Sequence, residues 1–414
     1  MSKGIFNKEQ TKSNHISQRG TRISCTSCGL YTNCRSPRMT AYGKGHKGIL
    51  NVGEAPSGED DQKGKQWQGR TGRKLKLMYE SFGIDLFEDC LNINAVNCMP
   101  TDNETPTSHQ IDCCRPRVMK TIEEFQPRII ILYGQSAVES VLGERWQKNR
   151  NESIATWRGY HIPDQRYKAF VCPTFHPSYV YRGDPDVRET IWFQDIENAL
   201  QCLNRDFQKL ELSVLCGKIE IVEDQKQLSD TLGMLSIVGG EFKADLRAVD
   251  IESTGLKPDA PGHQIACLSI ALNSNKSYVF PMTKRDQRKE QLRKLLMNQW
   301  LGWIGHNIKF EQRWFRKFLN AEPINWVWDT MMYAHRQRST KGTKSLKFQT
   351  YVNFGIADYD SEVEPYLKGD PQDANSFNRV MELMEKNPRQ LMLYCGLDTI
   401  FTYRLAELQM KGAE

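Results

Sequence analysis

Two α/β modules in series are what this sequence predicts: an α/β/α sandwich around a mainly parallel sheet, then an α+β module whose later part is helical. Three observations predict them. The chain has 414 residues, too many for one ordinary core and a common length for two domains. Short apolar runs alternate with stretches of helical spacing through the first half. A second apolar alternation opens near Lys218, after a polar stretch.

The elements follow in order. Gly48-Ile-Leu-Asn-Val-Gly53 and Arg128-Ile-Ile-Ile-Leu-Tyr133 read as buried strands, and Ala169-Phe-Val-Cys-Pro-Thr174 as another that leads into a loop at His176. Residues 72–83 and 113–125 have helical spacing, and residues 191–210 suit a helix that closes the module. The boundary falls between Phe207 and Gly217, giving modules over 23–207 and 217–414 with a linker over 208–216. Beyond it, Ala248-Val-Asp-Ile-Glu252 is a strand, residues 264–271 pair beside it, and residues 277–281 follow. Helices then dominate to the C-terminus.

Composition narrows the class. Hydrophobic residues make up 39% and charged residues 26%, a globular profile. No apolar run reaches the ~18–20 residues of a membrane span, so no membrane partner is expected. Residues 1–22 are polar and basic, which predicts a flexible arm rather than a secretory signal, and hence a cytoplasmic protein. The net charge of +6 permits a polyanionic partner without requiring one.

Twelve cysteines are many for a chain of this kind. Without a secretory signal, clustered cysteines favour a metal or a cluster over a disulfide framework. Cys25-Thr-Ser-Cys28 is a weak signal alone, and Cys98 and Cys114 strengthen it. Four thiols in two groups close a tetrahedral site, and their spacing does not choose between zinc and iron–sulfur.

At this point a resemblance becomes specific. Gly53-Glu-Ala-Pro-Ser-Gly-Glu-Asp60, followed by Gly64-Lys-Gln-Trp-Gln-Gly-Arg-Thr-Gly72, resembles the first motif of the family 4 uracil-DNA glycosylases. The segments 94–101, Cys114-Arg-Pro116, Arg158-Gly159 and His176-Pro-Ser-Tyr-Val-Tyr-Arg182 resemble its later motifs in the same order. The resemblance implies a sandwich of the uracil-DNA glycosylase type. It also implies a [4Fe–4S] cluster on Cys25, Cys28, Cys98 and Cys114, with Cys113 as the competitor for the fourth position. Its chemistry is the extraction of a base from the stack into a close pocket. Trp67, where the family has Phe, is placed to stack on uracil, and the Asn94 amide to read its polar edge. His176 would stabilise charge on the departing base, and Glu54 or Asp60 would orient water. Ser178 and the glycine-rich loop would grip the phosphate backbone. Ser57, Gln66, and Asn97 and Met99 around Cys98 depart from the family pattern.

In the second module Asp250 and Glu252 alternate on a strand and so share a face. Gly305-His-Asn-Ile-Lys-Phe-Glu311 places an acid at a strand-to-helix junction, and Tyr394 and Asp398 are four apart in a helical stretch. These acidic motifs in this order resemble the DnaQ-like (DEDD) exonucleases, tyrosine subclass, and among them the proofreading domains of family A DNA polymerases. The resemblance implies an RNase H-like module that hydrolyses phosphodiesters from 3′ ends with two Mg²⁺ or Mn²⁺ ions. Asp250, Glu252 and Asp398 would be direct ligands, Tyr394 would orient the attacking water, and Asn307 would hold the strand end. Glu311 stands where the family has Asp. The aromatic run Trp300, Trp303, Phe310, Trp314, Phe315 and Phe318 is expected to be mostly core.

Together the modules point to DNA as substrate and to a place in replication or repair. The combination resembles bacteriophage family A polymerases, which implies the editing part of a split polymerase, working beside a separately encoded polymerase subunit in a bacterial host's cytoplasm. A binding or scaffolding role with inert sites is the alternative reading.

Overall fold

The computed structural model describes residues 24–143, 146, 153–182, 185–238, 245–282, 286–323, 325–373 and 375–413. The basic arm expected over 1–22 lies outside them. The chain groups into two compact units, one running up to Leu210 and taking in Tyr351–Ala357, the other comprising Glu211–Thr350 and Asp358–Glu414.

The first unit is built on β1 (Ile49–Gly53), β2 (Cys90–Asn94), β3 (Ile129–Tyr133), β4 (Ile162–Asp164) and β5 (Ala169–Thr174), in sheet order β2-β1-β3-β5-β4. Only β4 runs antiparallel, against β5. All five residues of β3 are buried, as expected of a parallel strand covered on both faces. Between the strands lie α1 (Gly58–Lys63), α2 (Arg70–Ser81), α3 (Ser108–Phe125), α4 (Gln135–Leu142) and α5 (Ile154–Trp157), and α6 (Pro185–Gln201) closes the unit.

α3 starts five residues before the stretch with helical spacing, because Thr107 and Gln110 form a reciprocal capping box that nucleates it earlier. α6 stops at Gln201, short of the expected Leu210. Its apolar spacing continues only in appearance, since Phe207 packs edge-on to Phe170 from extended chain.

The second unit begins with α7 (Leu212–Cys216), β6 (Ile219–Ile221) and α8 (Gln225–Leu235). It continues with β7 (Asp245–Ser253), β8 (Ile265–Asn273), β9 (Lys276–Pro281), α9 (Asp286–Leu296), β10 (Leu301–Gly305), α10 (Ile308–Phe318) and β11 (Trp326–Asp329). The helices α11 (Thr330–Gln337), α12 (Leu346–Phe354), α13 (Glu364–Leu367), α14 (Val380–Lys386) and α15 (Pro388–Lys411) complete the chain, and the sheet order is β11-β10-β7-β8-β9-β6. β7, β8 and β9 form an antiparallel meander, while β10 and β11 add in parallel on the far side of β7. Trp303, Trp314 and Phe315 are core residues as expected, whereas Trp300 is 65% exposed.

Candidate functional sites

In the first unit the motif residues gather at the carboxyl ends of the parallel strands, where open α/β sheets place their ligands. Gly53 and Asn94 are paired in register at the ends of β1 and β2. Glu54 follows β1, and His176 lies two residues past β5. A Cβ on Gly53 would stand 2.3 Å from Asn94 Oδ1 and 2.9 Å from Trp67 Cζ2, so glycine is what lets both side chains close over this backbone. The Trp67 ring lies edge-on to Tyr133 at 5.5 Å and nearly parallel to His176 at 6.0 Å.

The hydrogen bonding of His176 fixes its tautomer. The Ser178 backbone N–H donates to Nδ1 at 3.3 Å, so Nδ1 accepts and the ring hydrogen sits on Nε2. Burial, with Arg182 nearby, pushes His176 down to about 4, so the ring is neutral at ordinary pH. Burial also raises Glu54, opposed by a hydrogen bond from Ser136 Oγ at 3.2 Å and by the charge of Arg182. Ser178 thus serves His176 with its backbone, and its hydroxyl lies 2.8 Å from the same nitrogen.

Asp60 is fully engaged elsewhere. One oxygen accepts from Ser57 N and Oγ at 2.8 and 2.7 Å, the other from Gln68 N at 2.6 Å. It ties the start of α1 to the loop that carries Trp67, leaving Glu54 as the carboxylate beside the pocket. Arg158 is bound to Asp195 through two hydrogen bonds, of 3.0 and 2.7 Å.

The cysteines converge at the edge of this unit. Cys98 and Cys114 belong to one apolar cluster, with Cys28 and Cys34 packed against it. Cys25, Cys98, Cys113 and Cys114 line a cavity of about 1100 Å³. Burial raises Cys114 to about 11, and the neighbouring Cys28 and Cys25 add to the shift. The Arg38 N–H donates to Cys98 Sγ at 3.2 Å. Among the described residues, the side chains whose ligand atoms all lie within 4.8 Å of one another are Asp250, Glu252 and Cys395. Pairwise, the Cys98 thiol is hydrogen-bonded with Cys34 and the Cys113 thiol with Cys28.

The second site forms where β7, α10 and α15 meet. A register shift in the β7–β8 pairing follows Glu252. Burial and the negative charge of Asp398 raise Asp250 well above the carboxylate range. Burial and Asp250 do the same to Glu252, and likewise to Glu311. Glu311 is 2% exposed, and its Oε2 has no hydrogen-bond partner among the described residues. Asp398 rises only to about 6, because burial is opposed by hydrogen bonds from Tyr359 and Tyr394 and by the charge of Lys347. Tyr359 donates to Asp398 Oδ1 at 2.6 Å, and its ring lies 5.9 Å from that of Tyr394.

Asn307 adopts φ +78° at the start of α10, a left-handed conformation that asparagine tolerates. The Asp329 carboxylate fixes that turn by accepting the N–H groups of Asn307 and Ile308 at 3.2 and 3.0 Å. It also caps α11 through Met331 and Met332. Glu252, Leu256 and Phe310 contribute to a cavity of about 450 Å³ that opens beside the acids. Sequence reasoning missed Lys347, Tyr359, Cys395 and Ser136. None of them carries a motif signal, and each reaches its site through tertiary packing.

Comparison with known proteins gives each module a family model of its own. The uracil DNA glycosylase superfamily model matches residues 40–201, and a 3′-5′ exonuclease model matches residues 219–411. A type-4 uracil-DNA glycosylase of Thermotoga maritima is 32% identical over 182 residues, 44% of this chain and 91% of that protein. The Saccharolobus solfataricus protein of the same description is 31% identical over 181 residues, 42% of this chain and 82% of that protein. A DNA polymerase of Bacillus phage SP01 is 25% identical over 317 residues, 71% of this chain but 33% of the polymerase.

Proposed function

For a chain that belongs to the type-4 uracil-DNA glycosylases through its first module and carries a 3′-5′ exonuclease module behind it, we propose a role in editing DNA during replication. The exonuclease module trims 3′ ends by metal-dependent hydrolysis, and the glycosylase module recognises and excises uracil. The observation that carries the reading is the convergence of Asp250, Glu252, Glu311 and Asp398 in one buried place. Carboxylates raised by burial and by one another form a site whose charges, offset in part by Lys347, bound cations would balance.

Asp250, Glu252 and Asp398 would hold two Mg²⁺ or Mn²⁺ ions, which supply charge stabilisation at the attacking and leaving oxygens. Around them the chain does the positioning. Tyr359 fixes Asp398, and Tyr394, its proton retained by burial, stands beside Asp398 to orient a water. Glu311 presents a buried, unpartnered oxygen toward Asp250, and Asn307 is held at the mouth by Asp329.

In the glycosylase pocket the neutral His176 offers its Nε2 hydrogen to the oxygen on which charge develops as uracil departs. The Asn94 amide reads the base edge, and Glu54 orients the water that meets the sugar. Trp67 is the aromatic wall. Cys25, Cys28, Cys98 and Cys114 would hold a [4Fe–4S] cluster, which supplies a structural tie between the N-terminal segment and α3. The donor set suits it: Cys25, Cys98 and Cys114 line one cavity, Cys28 packs against the same apolar cluster, and Cys98 already accepts a backbone N–H.

The phage polymerase similarity supports a separately encoded polymerase subunit as partner, and DNA as the shared ligand. An inert scaffold gains no support from two sites so fully assembled. The experiment is a labelled single-stranded DNA assay with Mg²⁺ or Mn²⁺, with and without one uracil. Stepwise 3′ shortening abolished by Asp250→Ala, and an alkali-sensitive break at uracil abolished by His176→Ala, are the expected results. Absence of both products from the wild-type protein sinks the reading.

A further inference from the structure

The polar groups suited to a pyrimidine converge on a point that is already filled. Asn94 Oδ1, the Gly53 backbone and the His176 ring surround the indole of Trp67, which is 7% exposed. A planar base between Trp67 and His176 needs the two rings roughly 7 Å apart, two carbon contacts of ~3.5 Å. They stand 6.0 Å apart with 26° between their planes. At the ring's edge, Trp67 Cζ2 is 2.9 Å from where a Cβ on Gly53 would be, so the indole reaches down to the backbone at the end of β1.

The backbone beneath the ring is held in an unfavourable state. Trp67 has φ +62°, a conformation that bulky side chains adopt at a cost. A Cβ on Gly72 would lie 1.9 Å from the Trp67 carbonyl oxygen, so the loop closes only because Gly72 has none. The Asp60 bonds to Ser57 and Gln68 brace the same loop. Buried inside it, the indole Nε1–H has no hydrogen-bond partner among the described residues. A bulky residue held at positive φ marks a group kept in place for something other than packing.

We propose that Trp67 is the specificity gate of the first site: in the free protein its indole occupies the base pocket, and only a base that displaces it is read. This rests on the reading of that pocket as a uracil site. Entry requires the indole to leave His176, so apparent affinity is reduced by the fraction of molecules in which the ring has swung out. A smaller ring leaves the pocket open in the free protein.

The test compares wild type with Trp67→Phe and Trp67→Tyr, using free uracil and ligand-observed NMR. Trp67→Phe is expected to bind uracil at least about tenfold more tightly than wild type, with Trp67→Tyr between them. On uracil-containing single-stranded DNA, KM is expected to fall by a similar factor. Thermal melts establish that each variant is folded. A second measurement needs only the native sequence: 5-fluorotryptophan labelling, with the Trp67 resonance assigned by its loss in either variant. That resonance is expected to shift when uracil saturates the wild-type protein.

Equal uracil affinity in wild type and Trp67→Phe, an unmoved Trp67 resonance, or no uracil binding by any of the three proteins overturns the gate. Release of uracil from DNA separates the gate from the reading beneath it. Excision by wild type and Trp67→Phe with the same KM removes the gate and leaves the glycosylase. Tight uracil binding by Trp67→Phe without excision by either protein leaves the gate and removes turnover.

Discussion

The two sites solve opposite electrostatic problems. The pocket at the ends of β1, β2 and β5 is built around a neutral ring: burial drives His176 down to about 4, and it also raises Glu54. A neutral base meets oriented dipoles there, and charge appears only as the glycosidic bond breaks. The site on β7, α10 and α15 concentrates four carboxyl groups whose protons are held by burial and mutual repulsion. It is preorganised for cations that must arrive before any chemistry. Burial produces both states, and what it buries decides the outcome: a single base flanked by an arginine in one, several acids on facing elements in the other.

The contrast is broken most directly by removing one member from each side. Asp250→Ala is expected to cost the exonuclease at least about 10³-fold, the loss of several kcal/mol of metal-borne stabilisation, measured as single-turnover shortening of a 5′-labelled strand. Uracil excision by the same protein should stay within about twofold, because Asp250 lies in the other unit. His176→Gln reverses the pattern, with excision down about 10²-fold to 10³-fold and 3′ trimming unchanged. Loss of both activities from either substitution would mean that the two sites do not act separately.

Acid sharpens the contrast, because His176 and Asp398 respond with opposite sign. A histidine lowered from 6.5 to about 4 stabilises the fold above pH 6.5, and that contribution, about 3 kcal/mol, is lost as pH falls through 4. Asp398, raised from 3.8 to about 6, contributes stability below pH 3.8 and loses it as pH rises through 6. In the metal-free protein, lowering pH from 6.5 to 4.5 should destabilise the first unit. In the second, the raised acids oppose the loss from His306, which burial also lowers to about 4. Hydrogen exchange resolved to each unit should therefore show the larger loss of protection in the first. His176→Gln should flatten the response of the first. Equal losses in both units would remove the electrostatic contrast.

Periodicity is what made most of this legible. Asp250 and Glu252 share a face by the alternation of a strand, and Tyr394 and Asp398 by the spacing of a helix, so each pair could be placed before the elements were seen. β3 and β5 were readable as continuous apolar runs. β11 was not, since Trp326–Asp329 has two tryptophans and a capping acid in four residues and its burial is only partial. The role of Asp60 was also hidden: a carboxylate beside a catalytic motif looks functional in sequence, whereas its three backbone and hydroxyl donors come from loop geometry. Tyr359 and Lys347 lay beyond sequence reading for a related reason. They sit 39 and 51 positions from Asp398, in a loop and in α12, with no spacing rule linking them to it.

Tyr359 therefore offers the smallest and most discriminating change. Its hydroxyl, 2.6 Å from Asp398 Oδ1, holds in place one oxygen of the carboxylate proposed as a metal ligand and favours its charged form. Tyr359→Phe keeps the ring against Tyr394 and Phe401 and removes only that bond. A hydrogen bond to a charged group is worth about 1.5–3 kcal/mol, so trimming at limiting Mn²⁺ should fall about tenfold or more. Saturating Mn²⁺ should restore much of the loss, because the metal itself then orders Asp398. A residue that merely packs would give a deficit insensitive to metal concentration, with the melting temperature lowered in step. A metal-dependent deficit with an unchanged melt instead makes Tyr359 a positioning residue, and it places in the acidic site the fixed donor that Ser178 supplies to His176 in the neutral one.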